Sequence, residues 1–510
     1  MIDTLSSVFG LLASSGTFER PPIDWHAVAP ELCLLGGGAL LTLIDVIWLE
    51  KGRSITSALA GIVMLIPIIP ILTLAIDSED RSMFKGAFVV DKYSLIIKAL
   101  FLLSGYLIVL LSTNYIAEGD YWENEYYGML ISSVLGMVLM ASARDLISIF
   151  VALELLSIPA YLLATWRKKD HKSNEAGLKY YLMGVFASAI MLYGMSLIFG
   201  VSGSTILQEI NESISNGEAN TPVITLGITF VVIGFGFKVS AFPFHTWAPD
   251  TYEGAPTPVT AFLAVASKAA GFVALVNLVV IGFIGQGDVF QPLIWILAAL
   301  SMTAGNVMAL RQTNIVRLMA YSGIAQAGFI LAPLAVAGEG SIIADKAVSA
   351  VVTYLVIYAA MNIGAFGIIL AVSRKTKTAD LESYNGLFRT SPSLAIVMTI
   401  FLASLAGIPP LGGWYAKFSV FTSLTSASTN WGYGLAIVAA VNAVIAFGYY
   451  GKVAMRMWVE EPHESLTGEM TVPASLLTAL VITAGVTIAF GVAPGIVTHF
   501  TDVSLVAFGS

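Results

Sequence analysis

Charged side chains are scarce in this chain. They make up 11% of its 510 residues, where a soluble domain carries about a quarter. Cysteine is scarcer still. The single Cys33 excludes a disulfide framework and a thiolate metal cluster. Five histidines are scattered, with no two at metal-ligand spacing. No basic tract suggests a nucleic-acid partner. The amino terminus lacks the short basic segment and cleavage site of a signal peptide, and residues 1–26 read as a mature, mildly polar lead-in. Gly234–Gly236 sits inside an apolar run with no βαβ unit around it, so it is not a nucleotide fingerprint. No long hydrophilic segment leaves room for a soluble catalytic domain.

Hydrocarbon is what the chain has in abundance. Apolar residues make up 57% and the mean hydropathy is +0.83. The reading is an all-α polytopic membrane protein. Runs long enough to span, roughly 20 residues each, fall near 27–48, 55–77, 93–113, 126–143, 145–166, 177–201, 222–247, 257–284, 291–310, 314–337, 342–373, 393–425, 432–458 and 472–498. That predicts about 14 transmembrane helices. Only Arg144–Asp145 divides the fourth run from the fifth.

Basic loop residues predict the orientation. Trp166–Lys172 reads WRKKDHK, the 310–317 turn holds Arg311 and Arg317, and 374–389 holds Arg374, Lys375, Lys377 and Arg389. With Lys51 and Arg53 they fall on one side if both termini lie on the other, away from the cytoplasm. Opposite loops such as Gln208–Asn220 are acidic or neutral.

Two spans contain helix breakers. Phe242-Pro243 interrupts one. ASLAGIPPLGGWYAKF, with Pro409-Pro410 near Gly407, Gly412 and Gly413, interrupts another five spans later. Five is odd, so a repeat of that length enters the membrane from the opposite side. Inverted repeats with discontinuous helices are a transporter architecture. The expected divisions are 1–125 (lead-in and three helices), 126–288 (first five-helix repeat), 289–460 (second, inverted repeat) and 461–510 (last helix).

Charge inside such runs is costly and marks candidate chemistry. Glu154 is apolar on both sides for about two turns and has to protonate or find a cation. Lys179 opens its span in EAGLKYYLMG. It can snorkel to the interface, unless Glu154 on the neighbouring helix is its partner. Lys238 precedes the first break, and freed backbone carbonyls can hold a cation or water. A buried lysine gives up its proton more readily than an exposed one. His245 follows the break, with a ring suited to relay protons or to bond exposed carbonyls. Lys268 stands too deep in FLAVASKAAGFVALV to snorkel. Lys417 follows the second break in a role analogous to Lys238. Other charges read as bland. Asp250 and Glu253 look like caps or loop charges, Glu31 and Asp45 like terminal charges, and Lys98 like a snorkelling lysine. Arg311 and Arg317 fit the positive side.

FKVSAFPFHTWAPDTYEGAPTPVTAFLAVASK, with FVALELLSIPAYLLA upstream and GIPPLGGWYAKF downstream, resembles the antiporter-like membrane subunits of respiratory complex I. The resemblance covers the whole chain, most sharply residues 127–425. Lys417 where one paralogue carries glutamate, an end after about 14 spans, and the wording PFHTWAPDTYEGAPTPVTAF favour one branch of that family. The resemblance implies two inverted five-helix repeats, each with a broken helix. It implies a proton relay of Glu154, Lys179, Lys238, His245, Lys268 and Lys417. It also implies a bacterial cell inner membrane or an equivalent energy-coupling membrane, and neighbouring M-like and K/J-like membrane subunits. FMN, iron–sulfur clusters and quinone would lie in other subunits, with no cofactor and no redox centre in this chain. A Glu154–Lys179 pair that opens and closes would switch Lys238. A Mrp-type cation/proton antiporter subunit and an idle scaffold in a hydrogenase-type complex remain alternatives.

Overall fold

A computed structural model describes residues 21–47, 53–119, 123–215, 221–466, 468 and 470–505. The lead-in before residue 21, Lys51, and the side chains of Asp45 and Arg53 lie outside the described residues.

The chain is a helical bundle. In order it runs through α1 (Ala29–Ile47), α2 (Ile55–Asp77), α3 (Lys92–Glu118), α4 (Glu123–Ser142), α5 (Leu146–Ala164) and α6 (His171–Ser202). It continues through α7 (Thr221–Lys238), α8 (Trp247–Gly254), α9 (Thr257–Gly282), α10 (Gly287–Leu310), α11 (Ile315–Leu331) and α12 (Ser341–Thr376). It closes with α13 (Pro392–Ala406), α14 (Gly412–Ser426), α15 (Asn430–Val459), α16 (Ala474–Val492) and the short α17 (Pro494–Thr501). Between α2 and α3 a two-stranded antiparallel hairpin pairs β1 (Arg81–Met83) with β2 (Phe88–Val90), Arg81 opposite Val90. Among the described residues, 11 helices are long and apolar enough to cross a membrane. Three shorter apolar helices accompany them: Ala29–Ile44, Pro222–Lys238 and Pro392–Ala406.

Polar residues set where the spans begin. Asp91 caps α3 by accepting from Ser94 N, and Ser94 answers through its own hydroxyl. Asp145 accepts from Ile147 N and Ser148 N to open α5, and Asn314 does the same for Val316 and Arg317 at α11. The Asp145 cap, with Arg144 bonding the Ala141 and Ala143 carbonyls, confirms the division of α4 from α5. Arg144 also pairs with Asp91 at 3.1 Å, both buried.

The most apolar windows of α9, of Ile315–Glu339 and of α12 are each 94% buried inside the protein. These three helices are the core. The other spans surround them with one face inward, as in α15, whose window is 28% buried. The core therefore lies where side chains meet protein on every side, and any ionisable group there is cut off from lipid.

Both expected interruptions are present. The first helix stops at Lys238, Ser240 turns into a left-handed conformation at φ 58, and the chain resumes as α8. The second stops at Gly407, φ 93, and resumes as α14. The Phe242-Pro243 and Pro409-Pro410 peptide bonds are cis.

One expectation about the first helices fails and another holds only in part. Lys98 does not snorkel. It is fully buried and forms a 2.7 Å ion pair with Glu31, while its ammonium lies 5.2 Å from the centre of the Phe88 ring. Glu31 stands in the first turn of α1, as a terminal charge should, but it is buried, and the Lys98 ammonium offsets the cost of burying its charge.

Candidate functional site

Lys238 is the last residue of α7, at the point where the ladder is cut. Its ammonium donates to Ser157 Oγ at 2.8 Å and to Tyr180 OH at 3.4 Å. Tyr180 in turn stacks on Trp247, ring centres 4.5 Å apart. Trp247 Nε1 donates to Phe237 O, a carbonyl freed by the break. The two half-helices are thereby tied together. Lys238 is shut inside at 4% exposure.

Lys268 comes directly after a π turn, Leu263–Ser267, in α9. Such a turn adds a residue to the helix and rotates the next turn to face a different way. The ammonium donates to Gly323 O on α11 at 3.0 Å and is 1% exposed. Lys417 lies one turn into α14, 4% exposed. It donates to Ala406 O, at the cut end of α13, at 2.7 Å, and sits 5.0 Å from the Phe329 ring centre. Helix ends carry unpaired carbonyls and negative potential, so the break supplies what the ammonium lacks.

Each of these three lysines has a glycine beside it. A Cβ on Gly271 would meet Lys238 Cγ at 2.9 Å. One on Gly323 would meet Lys268 Nζ at 3.2 Å, and one on Gly407 would meet Lys417 Cδ at 2.9 Å. The glycines make the room in which each lysine lies.

His245 is buried between the breaks. Its ring stacks on Phe242 at 5.1 Å and meets Tyr321 edge-on at 6.5 Å, and Nδ1 has no hydrogen-bond partner among the described residues. Glu154 is half-buried on α5 and accepts from Ser188 Oγ at 2.6 Å. It stands one turn before Ser157, on the helix face that holds Lys238.

The expected Glu154–Lys179 pair is not formed. Lys179 bonds Asp250 at 2.8 Å and Glu175 at 2.7 Å, with its side chain 43% exposed. Ser188, the partner of Glu154, is nine residues further along α6, about 13.5 Å of helix rise. The two groups lie at different depths. Nor are Asp250 and Glu253 simple caps. Both accept from Arg317, at 2.7 and 3.0 Å, and Glu253 also pairs with Lys172 at 3.7 Å. Asp250 thus ties α6 and α11 to the half-helix α8. Burial works against its charge, but Lys179 and Arg317 more than reverse that, and its carboxyl stays below the usual carboxylate range. Sequence reading missed this network because its partners are 67 and 71 residues from Asp250. The i,i+4 spacing of Glu175 and Lys179 was a visible signal.

The three basic loops meet at one end. Arg167, Lys172, Asn314, Arg374 and Lys377 all line one cavity of about 670 Å³. Among the described residues, no group of three or more histidine, cysteine, aspartate or glutamate side chains is placed to hold a metal ion.

Interrupted helices that enclose charged side chains inside an apolar bundle define an antiporter-like membrane subunit. The NADH:quinone oxidoreductase/Mrp antiporter transmembrane family matches residues 143–445. NADH-quinone oxidoreductase subunit N of Trichlorobacter lovleyi is 37% identical over 484 residues, covering 94% of this chain and 96% of the relative. The subunit N of Desulforamulus reducens is 40% identical over 451 residues, covering 88% and 91%. Among solved structures, a chain of respiratory complex I from Thermus thermophilus matches with a TM-score of 0.76 and 30% identity, covering 92% of this chain and 98% of that one. A chain of the Mrp complex from Dietzia shares the fold, with a TM-score of 0.80 at 17% identity, covering 94% and 97%. The chain belongs to the NADH:quinone oxidoreductase/Mrp antiporter family, on its subunit N branch.

Proposed function

We propose that this chain is a proton-translocating membrane subunit of NADH:quinone oxidoreductase. Quinone reduction in other subunits would drive protons through the half-buried Glu154 and the buried Lys238, His245, Lys268 and Lys417, with Lys179 at the mouth rather than in the interior. The observation that carries the reading is the burial of three lysines, at 4%, 1% and 4% exposure, beside two helix interruptions and the core. Lysines kept from lipid and bulk water, yet without a carboxylate bonded to them, are poised to exchange a proton. Glu154 supplies the switch. At ~6 Å, with an effective dielectric near 20, one unit charge changes another's energy by roughly 3 kcal/mol. That is enough to load or unload Lys238.

The long spans and the three shorter apolar helices together support a count of fourteen, arranged as two inverted five-helix repeats over 126–288 and 289–460. M-like and K/J-like neighbours would flank the chain in a bacterial inner membrane, with both termini on the non-cytoplasmic side. FMN, iron–sulfur clusters and quinone belong to other subunits in this reading. The test is Lys238→Ala in the intact complex, reconstituted in vesicles, with protons moved per electron as the readout. Pumping collapses under this reading. Unchanged pumping with normal assembly leaves a scaffold. Sodium-dependent exchange by the chain would instead make it a Mrp-type antiporter.

A further inference from the structure

The three relay lysines are separated by polar groups that the relay does not name, and one gap among them has an upper bound. A Cβ on Gly323 would lie 3.2 Å from Lys268 Nζ and 3.2 Å from Tyr358 OH. The ammonium and the phenol are therefore no more than twice that distance apart, facing each other across a bare glycine. Tyr358 is buried and its hydroxyl has no partner in hydrogen-bonding geometry. Asn362 stands one turn further along α12, buried beside the Tyr358 hydroxyl, but neither amide atom completes a hydrogen bond of regular geometry there. Buried polar groups are satisfied by protein or by water. Two hydrogen bonds of ~2.8 Å through one water reach up to about 5.6 Å, most of that upper bound, and the site offers the two to four polar partners that a buried water takes.

We propose that a single water joins Lys268 to Tyr358, and that residue 323 is glycine to leave room for it. The proposal rests on the relay reading above. The Lys268 ammonium gives a proton to the water. The water passes one of its own to the Tyr358 oxygen, and Tyr358 gives its phenolic proton in the same hop to a second water, which passes one on to the Tyr450 hydroxyl. Asn362 holds the water in place. Beyond Tyr358 the polar contacts continue. Ser322 Oγ and Tyr450 OH are 2.5 Å apart, and either can donate. Gln326 Nε2 donates to Tyr450 OH and to Leu405 O, both at 3.1 Å. The next carbonyl, Ala406 O, holds Lys417. Gln326 is also fixed from behind, where Tyr354 OH donates to its Oε1. Helices α11, α12 and α15 thus supply a hydroxyl and amide link between the middle lysine and the cut end of α13.

The experiment uses the intact complex in vesicles, with Gly323→Ala, Tyr358→Phe, Tyr358→His and Lys268→Ala compared with the parent. The Gly323→Ala methyl occupies the water's place, and Tyr358→Phe removes the receiving oxygen. Each is expected to slow pumping by about a hundredfold, the low end of what one positioned proton-transfer group contributes. Tyr358→His is expected to restore a large part of it, which a purely packing role for Tyr358 would not allow. If Gly323→Ala prevents assembly, Tyr358→Phe with its histidine rescue decides. Full pumping in Tyr358→Phe, alongside loss in Lys268→Ala, overturns the proposal. Full pumping in Lys268→Ala overturns the relay reading itself.

Discussion

The two helix interruptions carry the same kind of side chain but treat it in opposite ways. At the first, the lysine ends the leading half-helix. Its bonds go sideways, to the hydroxyls of Ser157 and Tyr180, while the freed Phe237 carbonyl is taken by the Trp247 indole. At the second, the lysine sits in the trailing half-helix and reaches back to a freed carbonyl, Ala406 O. Lys238 is thus tuned by side chains on neighbouring helices, which a shift of α5 or α6 would alter. Lys417 is held by the backbone of its own break, which only a change in the break would alter. The first site is suited to receive a signal and the second to hold a fixed affinity.

The largest effect is expected where backbone meets backbone. A Cβ on Gly413 would lie 1.8 Å from Ser404 O, and Ser404 Oγ also accepts from Gly413 N. Gly413→Ala should force the second break apart and remove the assembled subunit from the membrane, read by its level in purified complex. If the subunit assembles normally, the second break is not the rigid one.

Ser157→Ala should sharpen the contrast. It leaves the Lys238 ammonium with Tyr180 alone, a loss of about 1–3 kcal/mol and hence a shift in proton affinity of roughly five- to 150-fold. The pH profile of pumping should move. The substitution Ser404→Thr keeps the hydroxyl at the second break and should move the profile little. Equal shifts in the two variants would erase the distinction.

Trp247→Phe should cost less. It keeps the ring against Tyr180 but leaves Phe237 O with the Ser240 N–H as its one remaining donor, a loss of about 1 kcal/mol of thermal stability. A calorimetric scan of the complex checks this.

The smallest effect concerns the charged network at the ends of the spans. The Asp250 carboxyl is depressed below its ordinary range, so its contribution to stability is complete above the unfolded value near 3.8 and is lost as pH falls through the lower, folded value. Stability should be flat from neutral pH to about 4 on this account and then fall. Asp250→Asn should flatten the acid limb, seen in unfolding temperature against pH.

The breaks were legible because proline and glycine act on their own backbone, within a few residues of themselves. The lysines at 238, 268 and 417 were legible because hydropathy on both sides leaves a charge no route out. What was not legible depended on helix rotation and depth. Glu154 and Lys179 lie on adjacent helices, yet nothing in their spacing says that they stand at different heights. Glu31 and Lys98 read as helix-end charges because each is near the start of its run. Only packing of α1 against the rest turns them toward each other. Gln326 and Tyr358 carry no formal charge, so hydropathy passes over them.

The Glu31–Lys98 contact has a consequence for shorter versions of this fold. A chain begun after α1 would strand an ammonium where neither water nor lipid headgroup can reach it, a penalty of about 3–5 kcal/mol. Loss of the first helix therefore has to travel with exchange of Lys98 for an uncharged residue of similar length, methionine being the natural choice. The first helix and position 98 are energetically one unit.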